Sequence, residues 1–167
     1  GRSAHKDMSS EQTYVYLGAP LPGADSPDAA ALQVAVSILS ERLSLNLREK
    51  QGLAYSVGAG ADFDRNFGWY YCVIGTNPGN YRSAMDGMIL QTEKLRLDGP
   101  TYEEVRRARN EIWGRLMSSR LSRINQAYYL GLNEYLNRPV DYEKTLLEQL
   151  EAVDFEQIRR AATRYFR

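Results

Sequence analysis

The chain has 167 residues, 43% hydrophobic and 25% charged, the composition of one globular domain; area scaling lets a chain of this length bury about 70% of its extended surface without staples. Its 21 Lys+Arg balance 21 Asp+Glu, and this zero formal net charge argues against a nucleic-acid backbone or an anionic membrane as the main partner. A single cysteine, Cys72, and a single histidine, His5, placed in a polar leader, exclude a disulfide framework, a thiolate zinc cage, a two-histidine zinc motif and a histidine-based nucleophile triad.

Residues 1–11 read as a leader and 12–167 as a single domain. The longest apolar run, residues 29–39, is interrupted by Gln33 and Ser37 and falls short of a membrane span. With neither an initiator Met nor a signal sequence, the chain reads as a segment of a longer polypeptide.

Thr13, Tyr14, Val15, Tyr16 and Leu17 are β-formers and predict a strand ending at Gly18, after which Pro20, Pro22, Gly23 and Pro27 predict a loop. Leu32, Ala35, Val36, Leu39, Leu43 and Leu47 recur at steps of three and four, the stripe of a helix with one face on a core. Arg48 and Lys50 stand in its last turn, and Gly52 is a natural left-handed cap.

Residues 53–62 and 67–76 predict an antiparallel hairpin. The first arm alternates Tyr55, Val57, Ala59 and Ala61 with Ser56, Gly58 and Gly60; the second, through Trp69, Tyr70, Tyr71, Cys72, Val73 and Ile74, is apolar on both faces, as an interior strand is. Asn77, Pro78, Gly79 and Asn80 form a turn, and residues 81–97 a helix. Thr101 and Glu104 have capping-box spacing and open a helix that the pattern carries to Asn137, bending at Gly114 or around Ser118 and Ser119. Residues 141–150 and 154–166, the latter capped by Asp154, complete a helical half. The fold class is therefore α+β, a two-layer antiparallel sheet with helices on one face.

The run Leu47-Arg48-Glu49-Lys50-Gln51-Gly52-Leu53-Ala54-Tyr55-Ser56-Val57 is the most informative stretch. A helix terminus delivers Arg48, a glycine turns the chain, and a strand opens at Tyr55. Two readings follow. Either Arg48 complements the helix dipole and Tyr55 is a half-buried strand residue, or a guanidinium and a phenol meet at the sheet entry, suited to a peptide carbonyl or carboxylate.

This run resembles the signature of the second, non-catalytic domain of M16 family zinc metallopeptidases, the group of pitrilysin, insulin-degrading enzyme and the mitochondrial processing peptidases. Residues 12–18, the run Asp28-Ala29-Ala30-Ala31-Leu32, residues 99–104 followed by Arg107-Ala108-Arg109-Asn110, and residues 153–166 with Ala161-Ala162 are similar to the family's segments at similar spacing, so the resemblance covers residues 12–167. It implies a LuxS/MPP-like metallohydrolase fold. It also implies that Arg48 contacts the substrate backbone, and that Tyr55, seven residues on, donates to the scissile carbonyl or its oxyanion.

The zinc of that family, on an inverted HxxEH motif with a distal Glu, has no counterpart here. The resemblance therefore implies no cofactor and no metal ligand in this chain, zinc in a partner domain fused or separate, and a peptide substrate. The chain is then part of a zinc metalloendopeptidase without catalysing alone. The alternative is a catalytically dead scaffold of the same fold, as in processing-peptidase-like core subunits. Residues 38–43 depart from the family in lacking its glycine-rich loop, although Arg42-Leu43 stands where an Arg-Leu pair is usual. Arg106, Arg107, Arg109, Arg115, Arg120 and Arg123 alternate with Glu103, Glu104 and Glu111, a solvated or domain-facing pattern rather than a nucleic-acid stripe. Cys72, mid-strand, reads as a buried small hydrophobe.

Overall fold

The computed structural model describes residues 11–166. His5 lies outside the described residues, as does most of the leader. The elements are β1 (Thr13–Pro22), α1 (Ala29–Leu43), a π-helical segment (Ser44–Lys50), β2 (Ser56–Phe63), β3 (Phe67–Thr76), a 3-10 turn (Pro78–Asn80), α2 (Tyr81–Asp98), α3 (Tyr102–Ser119), α4 (Arg123–Tyr135), α5 (Tyr142–Ala152) and α6 (Phe155–Tyr165). The sheet has the order β1-β3-β2, antiparallel throughout, with Leu17 opposite Cys72 and Ala59 opposite Cys72 from the other side.

Helix α1 forms the core layer. Its Leu32, Val34, Ala35, Ile38 and Leu39 are fully buried, as the apolar periodicity requires, together with Cys72 and Ile74 of β3. Tyr70 of β3 meets Phe166 beyond α6, ring centroids 4.3 Å apart, so the chain's last helix closes over the same face. The opposite face of the sheet keeps Tyr14, Tyr16, Phe67, Trp69 and Tyr71 exposed. One-sided coverage makes this the α+β two-layer plan that the element order implies.

Four local expectations change. The strand β1 does not stop at Gly18 but continues through Pro20 to Pro22, opposite Trp69 and Phe67. As an edge strand it tolerates prolines at alternate positions, where the missing N–H points away from the ladder. Gly18 is required inside it, because a Cβ there would stand 2.2 Å from the Tyr70 carbonyl oxygen. The helix expected to reach Gly52 is α-helical only to Leu43 and then widens. Tyr55 lies outside β2, which begins at Ser56.

Lastly, the helix drawn from Thr101 to Asn137 is two helices, broken between Ser119 and Arg123. The Ser118 hydroxyl donates to the Gly114 carbonyl at 2.7 Å and the Ser119 hydroxyl to the Leu116 carbonyl at 2.8 Å, side-chain bonds that compete with the backbone ladder. Ser122 then caps α4 by accepting from the Asn125 amide. At the start of α3 the Thr101–Glu104 capping box forms as its spacing indicates, and Asp154 with Gln157 forms a second one ahead of α6.

Candidate functional site

The segment from α1 to β2 begins with a change of helical pitch. Asn46 Nδ2 donates to the Arg42 carbonyl at 2.8 Å, filling the acceptor that the i to i+4 backbone bond would use, and the chain winds on as a π-helix through Ser44–Lys50. Leu47 is the one buried residue of that segment. It seats against Gly87 of α2, where a Cβ would come within 2.5 Å of Leu47 Cδ2. Leu47 anchors the segment, and Arg48, Glu49 and Lys50 beside it are exposed.

The turn that follows is closed by hydrogen bonds one residue wider than those of an ordinary helix end. Gly52 N–H donates to the Arg48 carbonyl at 3.1 Å and Leu53 N–H to the Leu47 carbonyl at 2.8 Å. Gly52 has φ +62°, the left-handed conformation its position in the sequence implies. The chain then meets the end of β3: the Thr76 hydroxyl donates to the Leu53 carbonyl, and Tyr55 N–H donates to the Gly75 carbonyl at 2.9 Å. Ser56 is also in register with Gly75, so two residues oppose one, a bulge that detaches Tyr55 from the strand alternation.

Arg48 and Tyr55 therefore stand on the two sides of one tightly bonded turn. Both side chains are exposed, Tyr55 at 69%, and neither has a hydrogen-bond or ion-pair partner among the described residues. Of the two readings of this pair, the half-buried strand residue is excluded for Tyr55. A guanidinium with five donors and a phenol with one, both uncommitted, can receive a main-chain carbonyl, a carboxylate or a developing oxyanion.

Three clefts among the described residues lie elsewhere. A cavity of about 250 Å³ between α1, β2 and α3 has Ser37, Glu111 and Arg115 in its wall. The Ser37 hydroxyl donates to Glu111 Oε2 at 2.8 Å and Arg115 reaches Oε1 at 3.1 Å. Sequence reasoning missed this polar wall, because Ser37 sits within an apolar helical stripe, 74 positions from its partner. A second cleft lies against Arg109 and Trp113, and an open groove against Trp69 and Pro20; Arg48 and Tyr55 line none of the three.

No group of three His, Cys, Asp or Glu side chains among the described residues converges as a metal ion requires. Burial pushes the Cys72 thiol up to about 12, so it stays a protonated core side chain and supplies no thiolate ligand. The donor set of the described residues does not fit zinc. The arginines of α3 and its end are largely paired, Arg106 with Glu103, Arg107 with Glu41, Arg115 with Glu111 and Arg120 with Glu143. No helix among the described residues is long and apolar enough to cross a membrane.

A family model described as the peptidase M16 inactive domain matches residues 1–112. An uncharacterized zinc protease of Mycobacterium tuberculosis is 30% identical over 162 residues, covering 91% of this chain and 36% of that protein, and one of Mycobacterium leprae is 29% identical over the same length. The chain thus spans little more than a third of these relatives. The peptidase M16 inactive domain from Pseudomonas fluorescens superposes with a TM-score of 0.84 at 24% identity, over 95% of this chain and 38% of that one. A protease from Helicobacter pylori superposes with a TM-score of 0.85 at 20% identity, over 98% and 40%. The chain belongs to the peptidase M16 inactive-domain family.

Proposed function

We propose that this domain is the substrate-gripping, non-catalytic half of a zinc metalloendopeptidase, closing over a peptide held against a zinc-bearing partner domain, fused or separate. Arg48 holds the peptide main chain by charge-assisted hydrogen bonds to carbonyl oxygens. Tyr55 donates its phenol proton to the scissile carbonyl and follows the oxygen as negative charge develops on it. Metal chemistry belongs to the partner in this reading, since no three His, Cys, Asp or Glu side chains converge among the described residues.

The observation that carries this reading is the pairing of rigidity with vacancy of partners. Arg48 and Tyr55 are presented by a hydrogen-bonded turn, yet their side chains make no hydrogen bond or ion pair among the described residues and line none of the three clefts described above. Groups fixed in that way become an enclosed site only when a second surface closes on them and excludes water, where such donors act most strongly.

The test joins the chain to its zinc-bearing half and measures peptide cleavage for Tyr55→Phe and Arg48→Ala. Loss of the Tyr55 donor lowers kcat by about 10²- to 10³-fold if it serves the oxyanion. Turnover near wild type in both variants overturns the reading. A partner half lacking HxxEH leaves the domain as a scaffold.

A further inference from the structure

We propose that Thr76, the buried last residue of β3, is a positioning residue that sets Tyr55 through the Leu53 peptide group; this deepens the reading above and rests on it. Tyr55 lies one residue before β2, so the strand ladder alone does not fix it. Beside its own N–H bond to Gly75, what holds it is the Leu53–Ala54 peptide. Leu53 is bonded on both sides: its N–H donates to Leu47 in the π-helical segment, and its carbonyl accepts from the Thr76 hydroxyl. One residue thus couples the Arg48 side of the turn to the Tyr55 side.

Thr76 is fully buried, and its hydroxyl has only that partner among the described residues. A buried hydroxyl is a net cost without a partner, and valine would fill the same space in a strand equally well. The hydroxyl is thus the feature of Thr76 that packing does not explain. Its own position is well held. Thr76 pairs with Thr13 of β1, and the preceding Gly75 lies beneath the Tyr14 ring, where a Cβ would approach Tyr14 Cε1 to 2.9 Å. The donor is anchored in the sheet, while the acceptor lies in a turn entered through Gly52. Without the bond, the hydrogen bond that remains between residues 53–55 and the end of β3 among the described residues is that of the Tyr55 N–H to Gly75, beside the packing of Leu53 and Ala54 on the core.

The experiment uses the full-length protein carrying this domain and its zinc-bearing half, comparing wild type, Thr76→Val, Thr76→Ser and Tyr55→Phe in peptide cleavage. Thr76→Val lowers kcat by about tenfold or more with KM nearly unchanged, because a displacement of about 1 Å in a catalytic donor is costly. Thr76→Ser, which keeps the hydroxyl and loses the methyl, stays close to wild type. Amide hydrogen exchange at Leu53 and Tyr55 speeds up in Thr76→Val while that of the α1 core amides does not. The proposal is overturned if Thr76→Val cleaves as wild type while Tyr55→Phe is impaired, or if Thr76→Ser falls below wild type as far as Thr76→Val does. Should Thr76→Val not fold, the Thr76→Ser comparison decides. A silent Tyr55→Phe instead brings down the functional reading, and this inference with it.

Discussion

Leu53 donates its amide to the Leu47 carbonyl, 2.8 Å away and six residues back, and that bond draws the exposed Arg48 and Tyr55 onto one turn. Such a span needs a residue with positive φ, and Gly52 provides it at +62° with nothing within 4 Å of where a Cβ would stand. Its requirement is therefore purely conformational. Gly52→Ala should destabilise the domain by about 1 kcal/mol, and Gly52→Asn by less, since asparagine tolerates the left-handed region. Urea denaturation of the three proteins at equal m-value measures the difference, and equal stability of all three would show that the turn relaxes away from positive φ.

A different constraint operates at the other end of the segment, where Leu47 fills the notch left by Gly87 of α2. Adding a methyl group at 87 forces Leu47 to shift in a fully buried site, an overpacking cost of about 1–3 kcal/mol. Gly87→Ala combined with Leu47→Val should recover part of the loss, giving a coupling energy of about 1 kcal/mol in a double-mutant cycle. Strict additivity of the two substitutions would place the notch and the leucine out of contact.

Arg48→Ala and Tyr55→Phe should leave stability within about 0.5 kcal/mol of wild type, since both side chains are exposed and make no described side-chain bond. Thermal melts of the two variants check this directly. The outcome matters for function, because a fall in cleavage by these variants is then a loss of contact with substrate and not of folded protein. A melting temperature lowered by several degrees in either one would assign it a structural role.

The parts of this architecture that were legible in the sequence are those written in local patterns. The stripe from Leu32 to Leu47, the left-handed cap at Gly52, the hairpin through Phe63 and Phe67, and the Thr101–Glu104 box each follow from spacing and turn chemistry within a few residues. What was not legible depends on distant partners or on competing side-chain bonds. Pro20 and Pro22 are strand residues because β1 is an edge, a property of the whole sheet order. The widening after Leu43 involves the side-chain bond from Asn46 to the Arg42 carbonyl. Tyr55 left the strand because Gly75, twenty positions later, accepts from its amide, and Ser37 met Glu111 across two helices. Arg48 and Tyr55 were located by motif resemblance; their exposure and lack of partners could be read only from the folded chain.

Arg42 gives the last prediction, one of pH. Its guanidinium binds Glu104 by Nε at 2.6 Å and Nη2 at 2.9 Å and reaches the Gly99 carbonyl at 2.8 Å, stapling the end of α1 to the start of α3; both side chains of the ion pair are 14% exposed. Burial works to raise the Glu104 carboxyl, but the Arg42 and Thr101 hydrogen bonds outweigh it, holding it below its ordinary 4.5. A carboxyl depressed on folding contributes stability above its unfolded value and loses it as pH falls through the folded one. Glu104→Gln tests that contribution: the amide oxygen can go on accepting from the Thr101 N–H in the capping box, while the NH2 replaces the oxygen that accepts from Arg42 Nε, so the charge and that bond are lost together. The variant should be less stable than wild type by about 1–3 kcal/mol at pH 7, the range for a hydrogen bond to a charged group. That gap should narrow progressively below pH 4.5, as wild-type Glu104 takes up its proton. Arg42→Met, which leaves the half-buried carboxylate with the Thr101 bond but no ion-pair partner, should cost as much or more at pH 7, about 3 kcal/mol, and should recover in acid for the same reason. Denaturation curves at pH 7 and in acid measure both differences, and a Glu104→Gln deficit unchanged with pH would show that the ion pair is not what the charge contributes.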